Sequence, residues 1–285
     1  MHAYQHTLQR PVQCHGIGLH SGRNVTLTLK PAPVNHGIKF VRTDLAHRPV
    51  ISAHFRNVID TSLATTIGTD GVIVSTIEHL MATFAGLHVD NVLLEMDAYE
   101  APIMDGSAGP FSTMMKEAGI IEQSAKRQYF VVKEPIQMAE NGKKVGLYPA
   151  DVPRVTCTID FDHPLLRNQS YSVTLDNGHF ENEISCARTF GFLHEVDYLK
   201  KNGFAKGGSL DNAVVIDKDK VLNPEGLRYS NEPIRHKILD CIGDLSMLGM
   251  PILGHIVAHK SGHAMNHLLL KRFVDQKSCW ETAQA

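Results

Sequence analysis

Arg235-His236-Lys237-Ile238-Leu239-Asp240-Cys241-Ile242-Gly243-Asp244 is the stretch on which the reading of this chain turns. His236, Asp240 and Asp244 recur at i, i+4 and i+8 and so share one face of a helix. Ile238, Leu239, Ile242, Leu245 and Leu248 furnish its apolar side. A neutral imidazole and a carboxylate one turn apart can hold a single divalent ion, and zinc accepts both ligand types. Lys237 would stand at the edge of that site as a fixed positive charge. Two ligands on one helix make half a metal site, and the remainder has to come from elsewhere in the chain.

The complement lies in Ser75-Thr76-Ile77-Glu78-His79-Leu80-Met81-Ala82-Thr83-Phe84-Ala85-Gly86. This segment reads as a helix with Ser75 or Thr76 as its N-cap and Gly86 as its stop. His79 is the candidate third ligand. Glu78 points off that line and suits a base beside the metal. Three protein ligands with one open position is the pattern of a catalytic zinc, which brings the pKa of its water down to about 7. In a chain with 17 His, no single one of these signals carries weight alone. Their placement does.

Both pieces fall at equivalent points of an internal repeat. Thr76-Ile-Glu-His79 through Gly86, then Val89 to Glu95, then Asp105-Gly-Ser-Ala108 and the run Phe111–Lys116 form one copy. Pro233-Ile-Arg-His236 through Gly243, then Ile252 to Ala258, then Ser261-Gly-His-Ala264 and Leu268–Lys271 form the other. His79 matches His236, Gly86 matches Gly243 and Ala108 matches Ala264; each copy reads helix, strand, glycine turn, helix. The expected fold is α+β: two similar domains from an internal duplication, each a β-sheet packed on a pair of helices, with the metal site between them. Two such units without a shared site remain the alternative on pattern alone. His263 replaces Ser107 in the second glycine turn, as an acid–base residue added to one copy would.

A length of 285 residues and 43% hydrophobic content fit two domains with ample core. The formal net charge of −2 and the absence of a basic run disfavour a nucleic-acid partner, and none is expected. The five Cys include no CxxC pair, which fits a reducing compartment. The N-terminal residues lack a signal-peptide apolar core, and no run reaches the roughly 18 residues of a spanning helix. A cytoplasmic protein without a transmembrane segment, acting as a monomer, is expected.

Along the chain, Val25–Lys30 alternates with period two, and Gly37–Arg42, Tyr129–Lys133, Lys144–Tyr148 and Arg154–Phe161 also read as strands. The polar stretch Glu122–Arg127 follows a helix over Ser112–Ala118 and sets the expected boundary: a first domain at 1–125 carrying Glu78 and His79, a second at 126–285 carrying His236 and Asp240. An insert runs from about 189 to 223, with Leu193, Val196 and Leu199 on one side of a short helix, breaks at Gly203 and Gly207-Gly208, and a strand resuming over Ala213–Ile216.

With these residues placed, the chain resembles the UDP-3-O-acyl-N-acetylglucosamine deacetylase family, the zinc amidases that commit Gram-negative bacteria to lipid A synthesis. The resemblance runs over nearly the whole chain through Gly16–Gly22, Ser75–Leu80, Pro102–Ala108, Ser185–Gly191, Gly207–Ser209, Arg235–Asp244 and Lys260–Ala264. It implies one Zn2+ per chain held by His79, His236 and Asp240. It implies Glu78 as general base, His263 as catalytic imidazole with Asp244 as its charge partner, and Lys237 and Thr189 around the developing oxyanion. Phe190 falls in the same motif as Thr189. The resemblance makes the insert, with Gly208 and Ser209, a passage for an acyl chain, and brings Asp160 and Phe161 to the uridine diphosphate. Val196 and Val215 of the insert are candidate acyl contacts; a small core of that subdomain is the alternative for them. Asp97 and Tyr99 stand where the family usually has Asn and Pro, and Ser62 and Cys186 where it often has Arg.

The implied reaction removes the acetyl group from a UDP-sugar lipid precursor, giving acetate and a free amine. Attack on an unreactive amide needs a strong nucleophile at neutral pH, a base for its proton, and an acid for the departing nitrogen. Two other readings use the same ligands. Another zinc amidohydrolase or peptidase would lack a use for the apolar insert, and no HExxH occurs. A non-catalytic, zinc-stabilised binding domain would be expected to close its site with a fourth ligand, commonly Cys. His2Asp also suits Fe2+.

Overall fold

The computed structural model describes residues 2–176 and 178–284. Its frame is a pair of five-stranded mixed sheets of the same topology. The first contains β1 (Val12–Ile17), β2 (Asn24–Pro31), β3 (Ile38–Arg42), β4 (Val50–Ser52) and β5 (Val92–Met96), in the order β1-β2-β5-β3-β4. The second contains β6 (Ile136–Glu140), β7 (Lys143–Tyr148), β8 (Arg154–Ile159), β9 (Gln169–Thr174) and β10 (His255–His259), in the order β6-β7-β10-β8-β9. In each, the strand after the first helix enters the middle and pairs parallel with the third strand, β5 with β3 and β10 with β8. The duplicated α+β fold expected from the repeat is therefore present strand for strand.

Period-two alternation puts one face of each sheet inward. Val25, Leu27 and Leu29 of β2 are buried, as are Val155, Cys157 and Ile159 of β8, while the Thr residues between them face outward. Against the inner faces lie α1 (Glu78–Gly86) and α2 (Gly109–Ala118) from the first unit, and α4 (Glu232–Ser246) and α5 (His263–Asp275) from the second. The insert supplies α3 (Leu193–Lys201) and a small three-stranded sheet built on Val214–Asp217.

The two units meet where α1 crosses α4. Leu80, Met81 and Phe84 of α1 and Ile238, Leu239, Ile242 and Leu245 of α4 belong to one buried cluster shared by both units. Each such side chain contributes about 1.5–3 kcal/mol on burial. Gly243 sets the spacing. A Cβ there would lie 2.1 Å from the Glu78 carbonyl oxygen, so only hydrogen at that position lets the helices approach this closely.

Several sequence expectations are corrected. The N-cap of α1 is Ile77, with no side-chain cap; Ser75 pairs with the Thr66 hydroxyl and Thr76 donates to Glu100. The helix does end at Gly86, as expected, and the residue is bare because the Phe180 ring occupies the space where a Cβ would sit. The polar stretch at the expected boundary, for which no element was assigned, belongs to a strand, Ile120–Lys126, antiparallel to Tyr4–Leu8. It is largely solvent-exposed, so polar residues are tolerated along it. Ile252–Ala258 is two strands, not one. Ile252–Leu253 pairs with Gln128–Val132, and β10 leaves for the main sheet after Gly254, which is pressed against Val132 and the Tyr148 carbonyl.

Candidate metal centre and active site

The first turn of α1 and the first half of α4 face each other across the unit interface. His79 comes from α1, and His236 and Asp240 from successive turns of α4, so that one ligand atom from each lies within 4.8 Å of the others. All three are buried. Asp240 Oδ1 stands 3.3 Å from His236 Nε2 and 3.9 Å from His79 Nε2. His236 Nδ1 lies 3.0 Å from the Ala187 carbonyl oxygen, which can only accept, so Nδ1 carries the proton and Nε2 offers its lone pair inward.

The electrostatics suit a cation. Burial, reinforced by His236, lowers the pKa of His79 to about 3, and burial likewise depresses His236 despite Asp240, so both imidazoles are neutral at neutral pH. Burial alone would raise Asp240, but His236 and Lys237 together outweigh it and hold the carboxyl well below the usual range. Lys237 Nζ donates to Asp240 Oδ2 at 2.6 Å; burial works against its charge, Asp240 prevails, and the ammonium is kept. Two neutral nitrogens and one carboxylate oxygen, one nitrogen already oriented by a backbone carbonyl, fit a borderline divalent ion such as zinc. Among the described residues this group offers three candidate ligands, which would leave a tetrahedral ion one open position.

Beside the ligands sits an acid–base array. Glu78 is buried, and burial raises its pKa to about 7 against the opposing charge of His263. Its Oε2 accepts the Thr65 backbone N–H at 3.0 Å, and Oε1 lies 4.0 Å from His263 Nε2. His263 opens α5, and its Nδ1 donates to Asp244 Oδ2 at 2.9 Å. Burial pulls its pKa down, but Asp244, with Glu78 adding to it, prevails and raises it to about 10. The array therefore contains a carboxyl tuned towards neutrality and an imidazolium within reach of it, both next to the ligand cluster.

Thr189 is fixed by its backbone, donating to Gly106 and accepting from Val214. It lies between Ala187, which orients His236, and Phe190, whose ring centroid is 6.5 Å from the His236 ring and 5.9 Å from Lys237 Nζ. Phe161 packs edge-on against Phe190 and Phe192, extending an aromatic wall from the ligand cluster towards α3. Val196 and Val215 are half-buried, and α3 has no fully buried residue, so its Leu193 and the neighbouring Phe204 and Leu210 stay exposed. Asp160 is paired with Lys260 at 2.7 Å. The Gly207-Gly208 turn packs on the Gly18–Leu19 loop, and Ser209 closes a tight turn onto Asp211 and Asn212.

Sequence reading missed Thr65, Asn266, Phe192 and the Arg188–Glu232 pair. Arg188 and Glu232 are both buried and lock the Ala187–Thr189 segment onto the start of α4. Arg188 and Phe192 were findable, one inside a quoted motif and the other two residues from Phe190 on the same strand face; Thr65 and Asn266 carried no local signal. A separate cavity of about 290 Å³ lies near the far ends of α1 and α4, lined by Met81, Phe84, Ile242, Leu245 and Arg154. None of the candidate ligands or of Glu78, Asp244 and His263 lines it.

The family model of UDP-3-O-acyl N-acetylglycosamine deacetylase matches residues 5–275. A UDP-3-O-acyl-N-acetylglucosamine deacetylase of Myxococcus xanthus is 50% identical over 281 residues, covering 99% of this chain and 90% of the relative. Relatives of the same name from Syntrophus aciditrophicus and Syntrophotalea carbinolica are 48% and 47% identical, covering 98% and 99% of this chain and 89% and 91% of their own lengths.

Proposed function

The chain belongs to the UDP-3-O-acyl-N-acetylglucosamine deacetylase family, and from that premise we propose that it hydrolyses the acetamide of a UDP-3-O-acyl-N-acetylglucosamine to acetate and the free amine, the committed step of lipid A synthesis. The observation that carries this reading is the convergence of His79, His236 and Asp240 with Glu78 and His263 at the crossing of the two units.

The same reading assigns one Zn2+ per chain to His79 Nε2, His236 Nε2 and Asp240. When bound, the ion supplies Lewis-acid chemistry, acidifying water and polarising the amide carbonyl. Glu78, with a pKa of about 7, is poised to take a proton from the attacking water at Oε1. His263 Nε2 stays protonated near neutrality and gives its proton to the departing nitrogen, while Asp244 steadies the imidazolium through Nδ1. Lys237 Nζ and the Thr189 hydroxyl are assigned to the oxyanion, as donors held in place before charge develops. Substrate contacts are assigned to Phe190, Asp160, Phe161, Gly208 and Ser209. The acyl chain is assigned to the aromatic wall and the apolar side of the insert, Val196 and Val215 included, because that surface is half-exposed rather than consumed as core. The division into 1–125 and 126–285 is supported by strand pairing: Ile120–Lys126 pairs with the first unit and Gln128–Val132 with the second.

No helix among the described residues is long and apolar enough to cross a membrane. The reading takes the protein as a cytoplasmic monomer. Chelation followed by titration with zinc tests the whole reading: turnover of UDP-3-O-acyl-N-acetylglucosamine should vanish and return at about one zinc per chain. A chain that binds zinc tightly yet does not turn over this substrate would refute the assigned reaction.

A further inference from the structure

The acid–base array is tied together by a residue on neither helix. Thr65 immediately precedes the strand Thr66–Thr69 of the first unit and is buried. Its backbone N–H donates to Glu78 Oε2 at 3.0 Å, and its hydroxyl donates to Asp244 Oδ1 at 2.5 Å. The hydroxyl oxygen is also 3.4 Å from His263 Nδ1. The other Asp244 oxygen, Oδ2, is taken by His263 and by the Asn266 amide at 2.8 Å, both from the second unit. Thr65 is thus the residue through which the Glu78 carboxylate and the Asp244–His263 pair, lying on opposite sides of the unit interface, are bonded to one rigid point.

We propose that Thr65 is a positioning residue for the deacetylation, a clamp that fixes Glu78 and the Asp244–His263 pair relative to each other across the two units. The inference deepens the deacetylase reading and rests on it. Without the hydroxyl, Asp244 Oδ1 is a buried acceptor with no donor, and the carboxylate rotates towards whatever donors remain. The imidazole on Oδ2 follows it, and His263 Nε2 leaves the position from which it reaches the departing nitrogen. An error of about 1 Å at such a group lowers turnover by up to roughly 100-fold without altering how substrate is held.

Thr65→Val isolates the hydroxyl, because it keeps the shape of the side chain and the N–H to Glu78. The zinc-loaded enzyme should show kcat lower by roughly 10- to 100-fold, with KM and zinc content unchanged. Thr65→Ser should restore most of kcat. The double variant Thr65→Val/Asp244→Asn should be no slower than Asp244→Asn alone, since the hydroxyl acts through that carboxylate. A residue that served only to stabilise the fold would shift Tm and leave kcat per folded molecule intact, and that result overturns the proposal. So does additivity with Asp244→Asn, or a well-folded Thr65→Ser that does not recover. Thr65→Ala replaces Thr65→Val if the latter does not fold. Absence of turnover in the wild type would strike the deacetylase reading instead; the clamp is then read from the His263 Nδ1 proton resonance of the zinc-loaded protein. That resonance should shift in Thr65→Val, and an unmoved one overturns the clamp.

Discussion

Gly243→Ala tests the geometry on which the centre depends. The added Cβ would stand 2.1 Å from the Glu78 carbonyl oxygen, 2.9 Å from its carbonyl carbon and 3.1 Å from its Cα, all backbone atoms of a buried helix. Ordinary contact begins near 3.4 Å, so α1 and α4 have to separate by about 1.3 Å at the crossing (3.4 − 2.1). Overpacking of this kind costs about 1–3 kcal/mol. The gain of alanine over glycine within a helix returns about 1 kcal/mol, leaving a net loss of about 0–2 kcal/mol in stability. The effect on the centre is larger, because the displacement acts at Glu78 and His79 while His236 and Asp240 ride on the other helix. Zinc affinity should fall at least tenfold, and turnover at saturating zinc by up to roughly 100-fold. Urea unfolding followed by circular dichroism gives the first number, and competitive zinc titration with steady-state kinetics the others. Gly191→Ala, where a Cβ would have nothing within 4 Å, is the control for global stability. If Gly243→Ala keeps wild-type zinc affinity and kcat, the centre does not depend on this close approach and the argument fails.

Glu78→Ala should retain zinc, measured by elemental analysis, and lose most turnover; loss of the metal would make Glu78 a ligand instead of a base. His263→Ala should behave likewise, and near-normal turnover would remove it from the acid role. In the metal-free protein, stability should peak near pH 6.5. Below that pH, His79, with its pKa of about 3 in the folded state, and His236, also depressed, bind protons preferentially when unfolded. Each then subtracts up to about 1.4 kcal/mol per pH unit as pH falls. Above it the sign reverses, because His263, raised from 6.5 to about 10, holds its proton more tightly in the folded chain, while Glu78, raised from 4.5 to about 7, already opposes the imidazoles below that pH. Stabilisation from them is lost as pH rises through those values, and urea midpoints that still climb between pH 7 and 9 would contradict this assignment. Val196→Asp should weaken long-acyl substrates more than short ones, read as kcat/KM across a chain-length series; an equal loss would place Val196 in the fold of the insert alone.

Local periodicity decided a great deal here. His236 and Asp240 share a helix face because 3.6 residues per turn put i and i+4 together in any context, and the repeated helix–strand–turn–helix order announced two copies of one unit. Strands such as Asn24–Pro31 and Arg154–Ile159 were legible because one face of each is buried and the other is not. Ile120–Lys126 was illegible for the opposite reason: with much of it in water, its side chains follow no apolar period. Thr65 was invisible because its meaning comes from Asp244, 179 residues away. Gly86 and Gly243 looked like equivalent punctuation, yet one makes room for the Phe180 ring and the other for the Glu78 backbone. The protonation states were out of reach as well, since a carboxyl near 7 at Glu78 arises from burial and an imidazolium near 10 at His263 from carboxylates on other elements. The sequence by itself determined most of the elements, the duplication and the residue types fit to hold a metal, all of which follow from spacing along a helix or strand. Only the tertiary structure decided how near the two units come and which groups are charged there, because contact distance and desolvation exist only once separate parts of the chain exclude water from one another.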